Sequence, residues 1–331
     1  MAKNLITDVA GVRVGHADDT KLGSGATVVL FDQPAVAAAD LRGGGPGTRE
    51  SALLDPAMTV ERIDAIVLAG GSAFGLDAAS GAQAWLREHG RGFQVREARV
   101  PIVPAAILFD LLSGGDKDWG RYPPYRELGY AATTAAATDF ALGSVGAGMG
   151  ANTADLKGGI GSASAQTRDG ITVGALAVVN AAGSAVIGGG PHFWAAPYER
   201  GSEFGGRGLP AAVPQQDLAF KTKGQPGENT TLVVVATDAA LTKAQARRVA
   251  IMAQDGMARA LRPVHTPLDG DIVFVGATGV RTLTDKIYSV SELGSLAADV
   301  VARAIGRGVF EAKAPSFPGA LPSWHDRFNA R

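Results

Sequence analysis

The sequence predicts a layered α/β or α+β fold. Short β-branched runs come in pairs set off by glycine turns, as in Val12–His16 with Gly25–Leu30 and Ile160–Gln166 with Ile171–Val179. Stretches with helical spacing stand between and after these pairs. Strands and helices do not alternate singly, so a chain of βαβ units is not expected. The 331 residues suffice for one large domain or two medium ones, and the sequence contains no internal repeat.

Each element has its own local reason. Ile6 to Leu30 reads as two strands with turns. The run Arg42-Gly43-Gly44-Gly45-Pro46-Gly47-Thr48 can only be a loop. Asp64–Ala69 is a buried strand ending at Gly70-Gly71. Ser72 is expected to cap an alanine-rich helix to about Glu88, with Leu76, Ala79, Gln83 and Leu86 at helical spacing. Pro101 and Pro104 punctuate the chain before Ile107, and Gly115–Pro124 is polar enough for a surface loop. A second alanine-rich helix is expected over Tyr130–Leu142, followed by the glycine run Gly143–Gly150. Ile160–Gln166 and Ile171–Val179 form a hairpin around Arg168-Asp169-Gly170. Gly188–Gly227, rich in Gly, Pro and charge, is expected to be a long loop. Thr230–Ala236 is a strongly apolar, β-branched strand, and Thr242-Lys243-Ala244-Gln245 is a capping box opening a helix to about Leu261. A strand at Ile272–Val275 and a helix near Leu293–Ile305 finish the ordered chain.

Composition narrows the chemistry. Apolar residues make up 46% and charged residues 19%, which fits a compact globule rather than a disordered chain. The formal net charge is −1 and no basic block stands out, so no nucleic-acid partner is expected. There are no cysteines, which excludes thiolate catalysis, disulfides and cysteine-ligated metal. No apolar h-region opens the chain and no run of about 18 apolar residues occurs, so a cytoplasmic protein without a membrane partner is expected. The histidines at 16, 89, 192, 265 and 325 show no i, i+4 pair. No metal and no cofactor are expected. There is no Gly-x-Ser-x-Gly elbow and no Walker A loop. Gly146-Ala147-Gly148-Met149-Gly150-Ala151 fits a loose dinucleotide pattern, but it follows an apparent helix instead of a strand and reads as a structural turn.

What remains is Gly227-Glu228-Asn229-Thr230-Thr231-Leu232, where a loop runs directly into a buried strand whose first member bears a hydroxyl. Cutting the bond before Thr230 would place that hydroxyl beside a free α-amine of pKa about 7.7–8.0, which can accept its proton. The same hydroxyl could attack the preceding carbonyl during self-cleavage. Taken alone, Asn229-Thr230-Thr231 reads more simply as a turn leading into a strand.

The chain resembles the P1-family peptidases, which include D-stereospecific and β-peptidyl aminopeptidases and nylon-oligomer hydrolases. The resemblance runs through Gly11-Val12-Arg13-Val14-Gly15-His16, Gly25-Ala26-Thr27-Val28, Asp40-Leu41-Arg42-Gly43-Gly44 and Leu68-Ala69-Gly70-Gly71-Ser72-Ala73-Phe74-Gly75-Leu76. It continues through Gly146-Ala147-Gly148, Leu156-Lys157-Gly158-Gly159-Ile160-Gly161, Asn180, Asn229-Thr230-Thr231 and Asp269-Gly270-Asp271. It implies an α/β/β/α sandwich similar to Ntn hydrolases with different connectivity. It further implies a single catalytic domain over 1–331, self-cleaved into an α chain 1–229 and a β chain 230–331, and assembly of αβ units into a homo-oligomer, often a tetramer. By the same resemblance Thr230 is the nucleophile, Asn180 a side-chain donor to the oxyanion, and Asp269, Asp271 and Lys157 lie near the site. The Asp-Gly-Asp spelling is closer to the nylon-hydrolase branch. Phe109, at the substrate site, stands where some relatives carry Tyr and cannot donate a hydrogen bond.

These roles suit the chemistry: an Asn amide can stabilise a tetrahedral oxyanion, and two acids one position apart can orient both the Thr230 amine and Lys157. For Lys157 a solvated lysine before a glycine turn is an equal alternative, and for the two acids a loop-to-strand turn. The expected activity is hydrolysis of amide bonds in short peptides or peptide-like oligomers, including 6-aminohexanoate oligomers. Alternatives are ornithine-acetyltransferase-like acyl transfer, whose Met-Ala-Thr-Met-Leu context is lacking here, and an uncleaved, non-enzymatic relative.

Overall fold

A computed structural model describes residues 2–223, 229–317 and 320–328. The end of the expected 188–227 loop, including Gly227, and Glu228 of the junction motif lie outside the described residues. In chain order the elements are β1 Val12–Asp19, β2 Ser24–Leu41, β3 Gly47–Arg49, β4 Arg62–Ala69, α1 Ala78–Glu88, β5 Phe93–Val95, β6 Ala98–Val100 and β7 Ala105–Ile107. They continue with α2 Tyr125–Thr134, β8 Ile160–Gln166, β9 Thr172–Asn180, β10 Thr230–Ala239, α3 Lys243–Ala260, β11 Ile272–Arg281, α4 Tyr288–Phe310 and α5 Trp324–Phe328.

The long strand β2 organises the layers. Its first half pairs antiparallel with β1 and with β4, and its second half pairs with β11 after a register shift between Leu30 and Ala35. The strand path runs β3-β7-β4-β2-β11-β10-β9-β8, with β1 on β2. Alternate residues of β10 serve two different cores, as the two-residue strand period requires. Leu232, Val234 and Ala236 join Phe274, Val178, Val29, Phe31 and Leu68 in a core between the two strand layers. Val233 and Val235 face the other way, onto Val249 and Ala253 of α3 and Leu293 and Val301 of α4. On the opposite side Val28, Leu30, Ala65 and Val67 pack against Ala79 and Leu86 of α1 and Ala132 of α2. Three apolar interfaces therefore separate four layers, α/β/β/α. Each fully buried Val or Leu contributes about 1.5–3 kcal/mol of transfer free energy, so this alternation fixes the register of β10.

The capping box of α3 is as expected: Gln245 N–H donates to Thr242 Oγ1 at 3.2 Å and Thr242 N–H to Gln245 Oε1 at 2.9 Å. Other boundaries differ. Ser72 does not cap a helix; it has φ of 52° in a 3-10 turn, and its N–H is tied to the Leu108 carbonyl. The helix expected over Tyr130–Leu142 is α2, which starts after Pro124 and ends at Thr134, because Ala137 turns away to bridge Val14. The last long helix runs from Tyr288 to Phe310, and the ordered chain continues to α5, whose Trp324 stacks on Phe193.

Candidate active site

Strand pairing assembles the site. β10 is antiparallel to β9, with Thr230 opposite Asn180, and parallel to β11, with Leu232 beside Ile272. Two strands running the same way bring their entry loops to the same end of the sheet, so 269–271 lie beside 229–231; Asn229 and Asp269 form a bridge. Thr230, Asn229, Asn180, Lys157, Asp269 and Asp271 are all buried.

At the junction, the Thr230 hydroxyl donates to the Asn229 carbonyl oxygen, which also accepts the Gly270 N–H at 2.8 Å. Gly270 must lack a side chain, because a Cβ there would sit 2.7 Å from Thr230 Oγ1. Gly43, at the end of β2, is constrained for the same region: a Cβ would come within 2.2 Å of the Asp271 nitrogen.

The two acids divide their work. Asp271 Oδ1 accepts the Thr231 N–H at 2.8 Å, and its Oδ2 accepts the His265 N–H at 3.0 Å and faces His265 Nδ1 at 2.9 Å. Asp269 accepts the Ala182 N–H at 3.1 Å and both the N–H and hydroxyl of Thr266 at 3.0 and 2.7 Å. Burial and the neighbouring Asp271 charge raise the Asp269 carboxyl above the usual range. The structure thus differs from the expectation that the pair reaches Lys157: Asp271 holds the strand next to Thr230, and Asp269 holds the turn after Asn180.

Lys157 is not the solvated lysine of the alternative reading. Its ammonium is buried and donates to the carbonyls of Gly148, Ala151 and Gly158 at 2.9, 2.6 and 2.7 Å. The glycine run that mimics a dinucleotide loop is therefore a cradle for Lys157. Burial, and then the Lys223 charge, lower Lys157 to about 7, with Asp110 pulling the other way. Asp110 is fully buried; it accepts from Ser24 Oγ at 2.6 Å and Gly71 N–H at 2.7 Å. Burial raises its carboxyl, opposed by the Ser24 hydroxyl and Lys117.

Asn180 ends β9. Its Nδ2 donates to the Phe109 carbonyl at 3.3 Å, and its Oδ1 accepts the Asn152 N–H at 3.0 Å and the Lys223 ammonium at 2.8 Å. Half-buried Phe109 thus meets Asn180 through its backbone. Lys223, Asn152, Asp110 and His265 had no signal in the sequence: each arrives by tertiary pairing. Beside Asn152 and Lys157 lies a cavity of about 120 Å³ lined also by Leu112, Ser113, Met149 and Leu321.

Among the described residues, no group of three or more His, Cys, Asp or Glu residues could hold a metal ion, and no helix is long and apolar enough to cross a membrane.

Comparison with known proteins agrees with this architecture. The description "Peptidase family S58" matches residues 4–319. An uncharacterised aminopeptidase of Mycobacterium tuberculosis is 46% identical, with 98% of each chain covered. A 6-aminohexanoate-oligomer endohydrolase of Paenarthrobacter ureafaciens is 29% identical over 82% of this chain and 74% of its own. Among solved structures, a Burkholderia sp. beta-aminopeptidase superposes with TM-score 0.71 at 23% identity, covering 98% of this chain and 91% of that one, which is a likeness of fold. The protein is a hydrolase acting on peptide or amide bonds. The chain belongs to peptidase family S58.

Proposed function

We propose that this hydrolase is a self-processing aminopeptidase or amidase that cuts its own chain between Asn229 and Thr230 and then uses Thr230 as an N-terminal nucleophile. The observation that carries the reading is the junction itself. A hydroxyl adjoins the carbonyl it would attack, and the Gly270 N–H already donates to that carbonyl's oxygen. In maturation, the Thr230 oxygen bonds to the Asn229 carbonyl carbon, and the Gly270 N–H supports the resulting oxyanion. The C–N bond then breaks, the nitrogen takes the hydroxyl proton, and water hydrolyses the ester to give chains 1–229 and 230–331.

In turnover the freed amine accepts the Thr230 hydroxyl proton as the oxygen attacks the substrate carbonyl. The proton passes to the leaving amine, and water releases the acyl group. Asn180 Nδ2, on the residue opposite Thr230, is the side-chain donor for the oxyanion, a role worth about 2.7–4 kcal/mol. Asp271 fixes the strand that presents Thr230. The names of the mycobacterial and Paenarthrobacter relatives support aminopeptidase or amide-oligomer substrates, 6-aminohexanoate oligomers among them. Assembly of αβ units into a tetramer belongs to the same reading. Thr230→Ala tests it: a single full-length band on a denaturing gel and no amide hydrolysis are expected, whereas a variant still split at the same bond overturns the assignment.

A further inference from the structure

Between α3 and β11 the chain is pinned on both sides of His265. The Arg262 carbonyl accepts the Ser184 N–H at 2.9 Å and the Arg262 N–H donates to the Ser184 carbonyl at 3.0 Å, while Thr266 gives its N–H and hydroxyl to Asp269. Held between them, His265 has φ of 55°, a left-handed conformation uncommon for a residue with a side chain and best tolerated by Asn, Asp and His. There one residue brings two donors to one atom: the His265 N–H and Nδ1 lie 3.0 and 2.9 Å from Asp271 Oδ2. A carboxylate oxygen can only accept, so Nδ1 carries the hydrogen. The other ring nitrogen, Nε2, is buried and meets no hydrogen-bond partner among the described residues, which leaves the Asp271 contact as the ring's polar anchor.

With Oδ2 clamped, Asp271 has Oδ1 left for the Thr231 N–H at 2.8 Å. The ladder between β10 and β11 starts at Leu232 and Ile272, so this side-chain bond extends it one residue toward the junction. The Thr231 N–H belongs to the peptide group that joins it to Thr230, so Asp271 limits rotation just after the Thr230 Cα. We propose that His265 is a positioning residue for the nucleophile: its Nδ1–H fixes the Asp271 rotamer whose other oxygen holds the peptide group after Thr230. The inference rests on Thr230 being the nucleophile and adds to that reading a residue that acts through Asp271. Loss of the ring donor frees the carboxylate to turn, and the Thr230 hydroxyl is then less often within attacking distance of its carbonyl.

The test compares His265→Asn with His265→Gly. Asn tolerates positive φ and offers an amide Nδ2–H where the ring has Nδ1–H; Gly keeps the backbone conformation and its N–H without strain but has no side-chain donor. His265→Asn should hydrolyse amides near the wild-type kcat, whereas His265→Gly should lose about tenfold or more in kcat with KM unchanged. Precursor retained on a denaturing gel should follow the same order. A ring that only fills space is missing from both variants, so equal losses overturn the proposal, as do wild-type rates in His265→Gly or a loss confined to KM. A wild-type chain that stays whole overturns the junction reading beneath it; normal cutting with two equal variants overturns the role of His265 alone.

Discussion

Thr230 stands directly opposite Asn180 in the antiparallel register of β9 and β10. That one pairing puts a hydroxyl and an amide donor at the same sheet end, and the parallel partner β11 delivers Asp269, Gly270 and Asp271 beside them. The site is a consequence of strand order: shifting β10 by one residue would exchange Leu232 and Val233 between cores and carry Thr230 off Asn180.

Gly270→Ala is the most local probe of the junction. The added methyl would meet Thr230 Oγ1 at 2.7 Å and the Gly45 carbonyl at 2.9 Å, so hydroxyl or loop must shift. Displacements of this size cost on the order of 10²-fold in rate. Retained precursor should accumulate on a gel time course, while circular dichroism stays native; wild-type processing speed would contradict the junction geometry.

Asp271→Asn keeps volume and removes charge from the residue that holds the Thr231 N–H and His265. Turnover should fall by about 10²-fold, the scale of a small misplacement of the nucleophile, and processing should slow. The control must be an acid outside the buried clusters, unlike Asp110, which is buried on Ser24 and Gly71. Exposed Asp255 on α3 is the suitable one, and Asp255→Asn should hydrolyse amides at the wild-type rate. Equal rates for the two variants would remove Asp271 from the site.

The sequence revealed this protein where local physics decides. The β-branched run of β10 and the Thr242–Gln245 box are readable because strand period and cap chemistry act within a few residues. The sequence shows this strand only as far as Leu30, whereas it passes through a register irregularity between Leu30 and Ala35 and continues to Leu41, because its second half is fixed by pairing with β11. Alanine propensity marked α2 but not its ends, which Pro124 and the Val14–Ala137 bridge set. The loop-to-strand boundary marks Thr230 and family resemblance gives it its role, whereas Asn180 and the acidic pair come through resemblance alone. Lys223 and His265 meet the site only through folding, and nothing local announces them.

Lys157→Met tests the buried ammonium through stability. The native group sits at about 7, below its ordinary 10.5, so the unfolded chain binds more protons between those values. Stability therefore rises with pH across about 7 to 10.5 from this residue, and the cost of burying its charge is fully present below 7. Denaturant unfolding of wild type should show that rise, and Lys157→Met should flatten it. Parallel curves for the two proteins would mean that Lys157 is not buried as described.

N-terminal sequencing of the purified wild-type protein, with intact mass, bears most directly on the central claim. Two chains are expected, the larger ending at Asn229 and the smaller beginning Thr-Thr-Leu-Val from Thr230. An active preparation that yields only one full-length chain, or a cut at any other bond, would contradict it.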